Sequence, residues 1–236
     1  HNVYVAESFS QHLCRRSGAV KECFAIPAPN DGLDRFADAL SRLIEQYEID
    51  LLIPTCEEVF HVSKIADRLP ERCFVFTDNI EKLNKLHNKN IFIDYAASFG
   101  LAVPQTRIIS TPGELEAVIA EQGDIVLKPV YSRFASHVFI LPKTMEDVGK
   151  LDVSPTHPWV AQTYLGTNQF CTYSVIVKGE VKAHGTYNTN YTAGQGASIY
   201  FESIEHDGIY TWVEKFVREI EYTGQISFDF IEMENG

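Results

Sequence analysis

Phe36, Leu40, Leu43, Ile44 and Tyr47 fall at i, i+4, i+7, i+8 and i+11, one apolar stripe along a helix of 3.6-residue period. A stripe of that width must be buried against another layer, and the flanking sequence indicates which kind. Short apolar runs at Val3-Tyr4-Val5-Ala6 and at 23–27 precede it, the second ended by Pro27-Ala28-Pro29. Ile49-Asp50-Leu51-Leu52-Ile53 follows and reads as a buried strand. After Pro54, Thr55-x-x-Glu58 reads as a capping box opening a helix to about Leu69, and Cys73-Phe74-Val75-Phe76 supplies another strand. Strand, helix, strand, helix, strand is the order of a parallel, Rossmann-like layer covered by helices. Residues 1–78 are expected to form that unit, without the strand and helix that normally open one.

From Asn79 the texture changes. Leu83, Leu86, Phe92, Tyr95, Ala96 and Phe99 keep helical spacing as far as Gly100, a residue suited to a helix C-terminus. Pro104 leads into extended Thr106-Arg107-Ile108-Ile109, a short helix at about 112–122, a strand Asp124–Lys128 and another at about 137–141. Beyond Trp159 the pattern is antiparallel, with strands at 159–164, 170–177 and 180–187, the last two joined across Lys178-Gly179. A helix near 209–221 carries Tyr210, Val213, Phe216, Val217 and Ile220, and the strand Gln225–Met233 comes last.

Composition narrows the function. Of 236 residues, 45% are hydrophobic and only 22% charged, which excludes global disorder. Lys+Arg 20 against Asp+Glu 32 leaves a net charge of −12, so no general nucleic-acid or anionic-membrane surface is expected. Any anionic ligand must be held by a few locally placed cations. Cys14, Cys23, Cys56, Cys73 and Cys171 are scattered without a C-x-x-C pair, unlike a disulfide scaffold or a zinc ribbon. They read as free thiols. With no apolar run of about 18 residues and no basic-then-apolar leader, a cytoplasmic location is expected.

The chain has no G-x-x-x-x-G-K-[ST] loop and no G-x-G-x-x-G after a strand. Gly194 and Gly196 in TAGQGAS read as a surface loop or a substrate-side lid. Ile125-Val126-Leu127-Lys128-Pro129 is more informative. In a strand, Ile125 and Leu127 share one face, while Asp124, Val126 and Lys128 share the other. A lysine there either guards a sheet edge or meets a fixed anion. Tyr131-Ser132-Arg133-Phe134-Ala135-Ser136 follows as a polar, cationic turn able to cover a triphosphate. Trp159-Val160-Ala161-Gln162-Thr163-Tyr164-Leu165-Gly166 has the form of a hinge between two sheets, offering backbone groups to an adenine edge beside apolar walls from Tyr164 and Leu165. In Gln225-Ile226-Ser227-Phe228-Asp229-Phe230-Ile231, Asp229 lies with Ser227 on the face opposite three apolar residues. There it is solvated, paired or bound to metal.

The order of these elements resembles the ATP-grasp superfamily. A lysine in a helix precedes A-x-x-F-G-x-x-V-P-x-T, then V-x-K-P, a Q-x-Y-x-G hinge and a G-x-x-x-F-D-F-I strand. Carbamoyl-phosphate-synthase large-subunit-like proteins are the nearest likeness, and it extends over nearly the whole chain. The resemblance implies an α/β fold: a pre-ATP-grasp domain over 1–78, then an ATP-grasp domain over 79–236 whose two antiparallel lobes grip a cleft, with a lid at about 106–164. It implies ATP as cofactor with Mg²⁺, or Mn²⁺ as the alternative ion. The activity implied is ligation, a small carboxylate being activated as an acyl phosphate for attack by an amine or similar nucleophile. Position by position, Lys89 and Lys128 match the two phosphate-contacting cations. Gln162, Thr163, Tyr164 and Leu165 match the adenine-reading hinge, Gln169 the ribose-binding position and Asp229 the first magnesium carboxylate.

Three departures accompany the match. The lid turn lacks the family's glycines, so Ser132, Arg133 and Ser136 are assigned to the phosphates through their side chains, with Arg133 joining Lys89 and Lys128 in catalysis. Gln162 and Gln169 stand where acids are common. The return strand carrying E-x-N-P-R would lie beyond the turn signal Asn235-Gly236, so the sequence reads as a fragment at both ends. The alternative is a non-catalytic nucleotide-binding or regulatory module. His184, Tyr187, Asn188 and Asn190 are candidates for the acceptor side, or simply strand-end surface residues. The oligomeric state is open.

Overall fold

The computed structural model describes residues 1–132, 137–193 and 197–233. The chain divides into two compact units, His1–Ile80 and Glu81–Gly236. In the first, β1 (Tyr4–Glu7) pairs in parallel with β2 (Glu22–Ala25). The predicted stripe lies on α1 (Leu33–Gln46), which buries Phe36, Leu40 and Ile44 against Val62 and Ile65 of α2 and against Leu69 and Cys73. A second parallel pair joins β3 (Leu51–Leu52) to β4 (Phe74–Val75). The expected single layer is therefore two separate pairs. Ile49–Ile53 is also less buried than its apolar run suggests. Leu52 packs on the helices, whereas Leu51 and Ile53, alternating to the other face, are each 46% exposed. The capping box forms by half. Glu58 Oε1 accepts the Thr55 and Cys56 N–H groups at 2.7 and 3.0 Å, but α2 (Glu58–Ile65) starts only after Glu57 and ends in a 3₁₀ turn at Ala66–Arg68.

The second unit opens with α3 (Ile80–His87) and α4 (Lys89–Ser98). They are two helices because Asn88 is extended and caps α4, its Oδ1 accepting the Ile91 N–H at 3.0 Å. Gly100 follows α4 at φ +68°, the left-handed stop its position called for. Then come β5 (Thr106–Ile109), α5 (Pro112–Ala120), β6 (Ile125–Pro129), β7 (Phe139–Ile140), α6 (Met145–Val148) and β8 (Trp159–Thr163). A reciprocal Thr111–Glu114 capping box starts α5. The four strands form an antiparallel sheet in the order β5-β8-β6-β7. One face buries Ile109, Leu127, Trp159 and Ala161 against Leu115, Val118 and Ile119 of α5.

The remaining elements are β9 (Gln169–Val177), β10 (Glu180–Asn188), β11 (Thr192–Ala193), β12 (Ala197–Ser198), β13 (Ser203–Ile204), α7 (Asp207–Glu219), β14 (Gly224–Ile226) and β15 (Asp229–Ile231). Their main sheet runs β13-β10-β9, with β14 and β15 both on the far side of β9. Lys178 and Gly179 turn the β9–β10 hairpin at φ 49° and 77°, positive at both positions as a tight hairpin requires. A Cβ at Gly179 would also come within 3.1 Å of the Arg218 Cα. The expected strand 225–233 is interrupted, yet keeps one register, with Ile226 opposite Ser174 and Asp229 opposite Cys171. The break has a local cause. Thr172 Oγ1 accepts the Phe228 N–H at 3.2 Å, while the Thr172 N–H donates to the Phe228 carbonyl at 2.9 Å. The alternation survives, so Phe228 is buried and Asp229 exposed. Among the described residues no helix is long and apolar enough to cross a membrane.

Candidate functional site

Lys128 lies on β6, between β8 and β7, which removes the edge-guard reading of that lysine. Leu127 points into the fully buried core and Lys128 to the opposite face, where Nζ donates to Gln162 Oε1 at 3.0 Å. Gln162 Nε2 in turn donates to Thr106 Oγ1 at 3.1 Å. Thr106, which the sequence marks only as a strand residue, thus fixes the amide orientation that presents an oxygen to the ammonium. Gln162 is itself buried, and its neutrality leaves the lysine held but not neutralised. Burial keeps Lys128 below the usual lysine value, with the Asp229 carboxylate acting the other way.

Lys89 opens α4. Its Nζ donates to the Val130 and Ser132 carbonyls at 3.4 and 3.1 Å and to Ser132 Oγ at 3.0 Å. The same loop is tied to the start of α4 by the Lys89 N–H to Val130 O and by Asn88 Nδ2 to Tyr131 Oη, 2.9 Å. Burial first, and the nearby Lys128 second, lower the Lys89 ammonium to about 8, with Asp229 opposing them. Among the described residues the hydrogen-bond partners of Lys89 are neutral, and two neighbouring cations stand without a carboxylate bonded to either. That is an environment made for an anion.

Asp229 reaches the same neighbourhood through an aromatic cluster. Phe228, just before it, stacks on Phe92 of α4 at 5.9 Å and meets Trp212 and Phe216 of α7 at 5.3 and 5.4 Å. Phe92 is one turn along from Lys89, so the cluster sets the lysine and the carboxylate together. Asp229 Oδ1 accepts the Cys171 Sγ–H from across the β9–β15 pair at 2.8 Å. Burial, then the Asp229 charge, push the Cys171 thiol well above its ordinary value, so it stays protonated. Cys171 was invisible as a site residue because only the strand register brings it to Asp229. Among the described residues no three His, Cys, Asp or Glu side chains converge as a self-sufficient metal cage. One hard carboxylate beside two cations suits Mg²⁺, which binds through one or two carboxylates together with substrate phosphates.

The hinge is partly committed to the fold. The Thr163 and Tyr164 N–H groups donate to Gln105 and Asp124 carbonyls, both at 2.9 Å, and the Thr163 side chain is exposed. Tyr164 and Leu165 are half-buried. Gln169 starts β9 on the same face as Cys171, and its carbonyl accepts from Thr189. Of the acceptor-side candidates, His184 faces the other way. Its Nδ1 meets Ser174 Oγ at 2.8 Å, its Nε2 meets Thr186 Oγ1 at 2.9 Å, and its ring meets Tyr210 of α7. Asn188, two residues on from Thr186, shares that face; Asn190 is exposed beyond the strand. Tyr187 alternates to the Asp229 side, where burial, Cys171 and Asp229 all raise its hydroxyl. Arg133, Ser136, the Gly194–Gly196 glycines and the Asn235-Gly236 turn lie outside the described residues.

No family model and no curated protein match this sequence. Solved structures do. The biotin carboxylase domain dimer of Hydrogenobacter thermophilus 2-oxoglutarate carboxylase, in complex with MgADP, ADP and bicarbonate, superposes at TM-score 0.69 and 14% identity over 100% of this chain and 56% of that one. An ADP complex of N5-carboxyaminoimidazole ribonucleotide synthetase gives 0.73 and 14% over 100% and 61%. The L-amino acid ligase of Bacillus licheniformis gives 0.67 and 16% over 99% and 58%. The chain has the fold of these ATP-grasp proteins and spans less than two thirds of their length.

Proposed function

We propose that this chain carries the nucleotide site of an ATP- and Mg²⁺-dependent ligase of the ATP-grasp type, which activates a small carboxylate. The observation that carries the reading is the meeting of Lys89, Lys128 and Asp229, two half-buried cations and one acid drawn from a helix and two sheets. Lys89 and Lys128 bind the triphosphate. In a site of low effective dielectric each ammonium acts more strongly on developing phosphate charge than it would in water. Ser132 holds Lys89, and the Gln162–Thr106 pair holds Lys128, so little reorganisation is needed when charge moves. Since Thr163 and Tyr164 use their N–H groups within the sheet, the hinge donor for adenine is the Leu165 N–H. Gln169 takes the ribose side, and the resemblance assigns Arg133 and Ser136 to the phosphates as well.

Asp229 would hold Mg²⁺, or Mn²⁺, which when bound would supply charge neutralisation to the triphosphate. The acceptor carboxylate attacks the γ-phosphorus, the bond to the ADP oxygen breaks, and an acyl phosphate and ADP result. An amine or similar nucleophile then attacks the acyl carbon and releases inorganic phosphate. Bicarbonate in one structural relative and the amino acid ligase named in another support a carboxylate acceptor. The finer likeness to carbamoyl-phosphate synthase rests on the order of the sequence motifs, the last of them Gly224-x-x-x-Phe228-Asp229-Phe230-Ile231. A second reading, a nucleotide-binding module without turnover, is favoured by Gln162 and Gln169 standing where the family commonly has acids and by the glycine-poor lid turn.

Both readings are separated in the full-length protein by titrating ATP with Mg²⁺ and following ADP release. The ligase reading expects binding that Lys128→Met weakens, and turnover that Asp229→Asn lowers by orders of magnitude while binding persists. Binding without turnover supports the module. No ATP binding overturns both.

A further inference from the structure

The sheet face that carries Asp229 is not uniformly filled. Tyr187, Cys171 and Asp229 stand side by side on β10, β9 and β15, and the adjacent row pairs Gly185 with Tyr173. The alternate residues Thr172, Ser174 and Thr186 are buried on the other face, so these five share the Asp229 side. Gly185 has no positive φ, and a Cβ added to it would meet nothing within 4 Å. Neither backbone conformation nor packing requires glycine there, in the middle of a nine-residue strand where glycine is unfavourable. What its missing side chain does is leave a depression. The flanking walls are aromatic. Tyr173 is 46% exposed, and its hydroxyl donates to Gln225 Oε1 on β14, the side of β9 away from Gly185. On the other side Tyr187 packs edge-on against Phe201, ring centroids 4.9 Å apart, and Phe201 is 62% exposed.

We propose that this depression is the acceptor subsite and that it takes a carboxylate bearing an aryl group; the inference rests on the ligase reading above. The ring lies over Gly185 between Tyr173 and Tyr187, in offset or edge contact with both. The carboxylate points along the face to Asp229 and the two lysines, the end of the site suited to a charged group. The spacing fits. From Gly185 to Asp229 is about 12 Å, taking two strand spacings of about 4.8 Å and two residues of about 3.4 Å each. The reach of the Asp229 side chain, a bound cation, and a ring joined to its carboxylate by two or three atoms together span that distance. Bicarbonate or acetate would leave both aromatic walls exposed to water.

The test is calorimetric titration of the full-length protein, loaded with ADP and Mg²⁺, with 3-phenylpropionate and with acetate, alongside the thermal shift given by ATP and Mg²⁺. The aryl acid is expected to bind at least tenfold tighter than acetate. Gly185→Leu should lose at least tenfold in affinity for 3-phenylpropionate while keeping the ATP thermal shift, which also shows that it folds. If Gly185→Leu does not fold, Gly185→Ala should show a smaller loss in the same direction. An ATP shift with no preference for the aryl acid, or unchanged affinity in the Gly185 variants, overturns the subsite and leaves the ligase reading standing. Absence of the ATP shift from the wild-type protein overturns both.

Discussion

The lowered Lys89 makes nucleotide binding a proton-linked event. In the free protein Lys89 sits at about 8 against an ordinary lysine value of 10.5. Its charged fraction is then about 90% at pH 7, about half at pH 8 and about 9% at pH 9. A bound triphosphate favours the ammonium, so it reverses the effect of burial and of Lys128 and raises the group again. ATP binding at pH 8 should therefore take up about half a proton, and affinity should fall about tenfold, ~1.4 kcal/mol, between pH 7 and pH 9. Lys128, lowered in the same direction, adds to that slope. The sign in the nucleotide-free protein is the reverse. A lysine whose folded value is depressed binds fewer protons folded than unfolded, so this group's contribution to stability rises between about pH 8 and 10.5 and is least below pH 8. Isothermal titration in two buffers of different ionisation enthalpy measures the proton uptake, and Lys89→Met should reduce both the uptake and the slope. A flat ATP affinity from pH 7 to 9, or an undiminished slope in Lys89→Met, would refute the placement of Lys89 against phosphate.

Three further outcomes follow from single contacts. Gln162→Leu leaves the half-buried Lys128 ammonium without its acceptor and should lower stability to urea by roughly 1.5–3 kcal/mol, the range for a hydrogen bond to a charged group; a change below 0.5 kcal/mol would mean that water already serves that ammonium. Phe228→Ala empties the centre of the Phe92–Trp212–Phe216 cluster and should cost about 3–5 kcal/mol in urea unfolding, with loss of ATP binding as Lys89 and Asp229 come apart. Thr111→Ala removes half of the α5 capping box and should cost about 1 kcal/mol without altering ATP affinity, whereas Thr111→Ser should be near neutral.

Local signals in the sequence carried further than signals that depend on neighbours. The α1 stripe, the Lys178-Gly179 hairpin and the stop at Gly100 were legible because each rests on a period or a backbone preference contained in a few residues. The alternation around Lys128 and around Asp229 was legible for the same reason, even though Thr172 breaks the second strand at Phe228. What an apolar run cannot convey is how many of its faces are covered. Ile49–Ile53 reads as buried on both faces, yet only one is packed. Nor does chain order show which strand becomes central, and so Lys128 first looked compatible with an edge. Cys171, Thr106 and Tyr187 acquire meaning only through cross-strand register and hydrogen bonding, at separations of 42 to 58 residues from their site partners. His184 shows the same limit in reverse. Its residue type suggests chemistry, while strand alternation places it under α7 between Ser174 and Thr186.

The most direct measurement is an experimental structure of the full-length protein with a non-hydrolysable ATP analogue and Mg²⁺. The triphosphate should lie against the ammonium groups of Lys89 and Lys128, the metal should be bound to an Asp229 carboxylate oxygen displaced from the Cys171 thiol, and the adenine edge should accept from the Leu165 N–H. Nucleotide bound on a surface that touches neither Lys128 nor Asp229, or no nucleotide at millimolar concentration, would contradict the account.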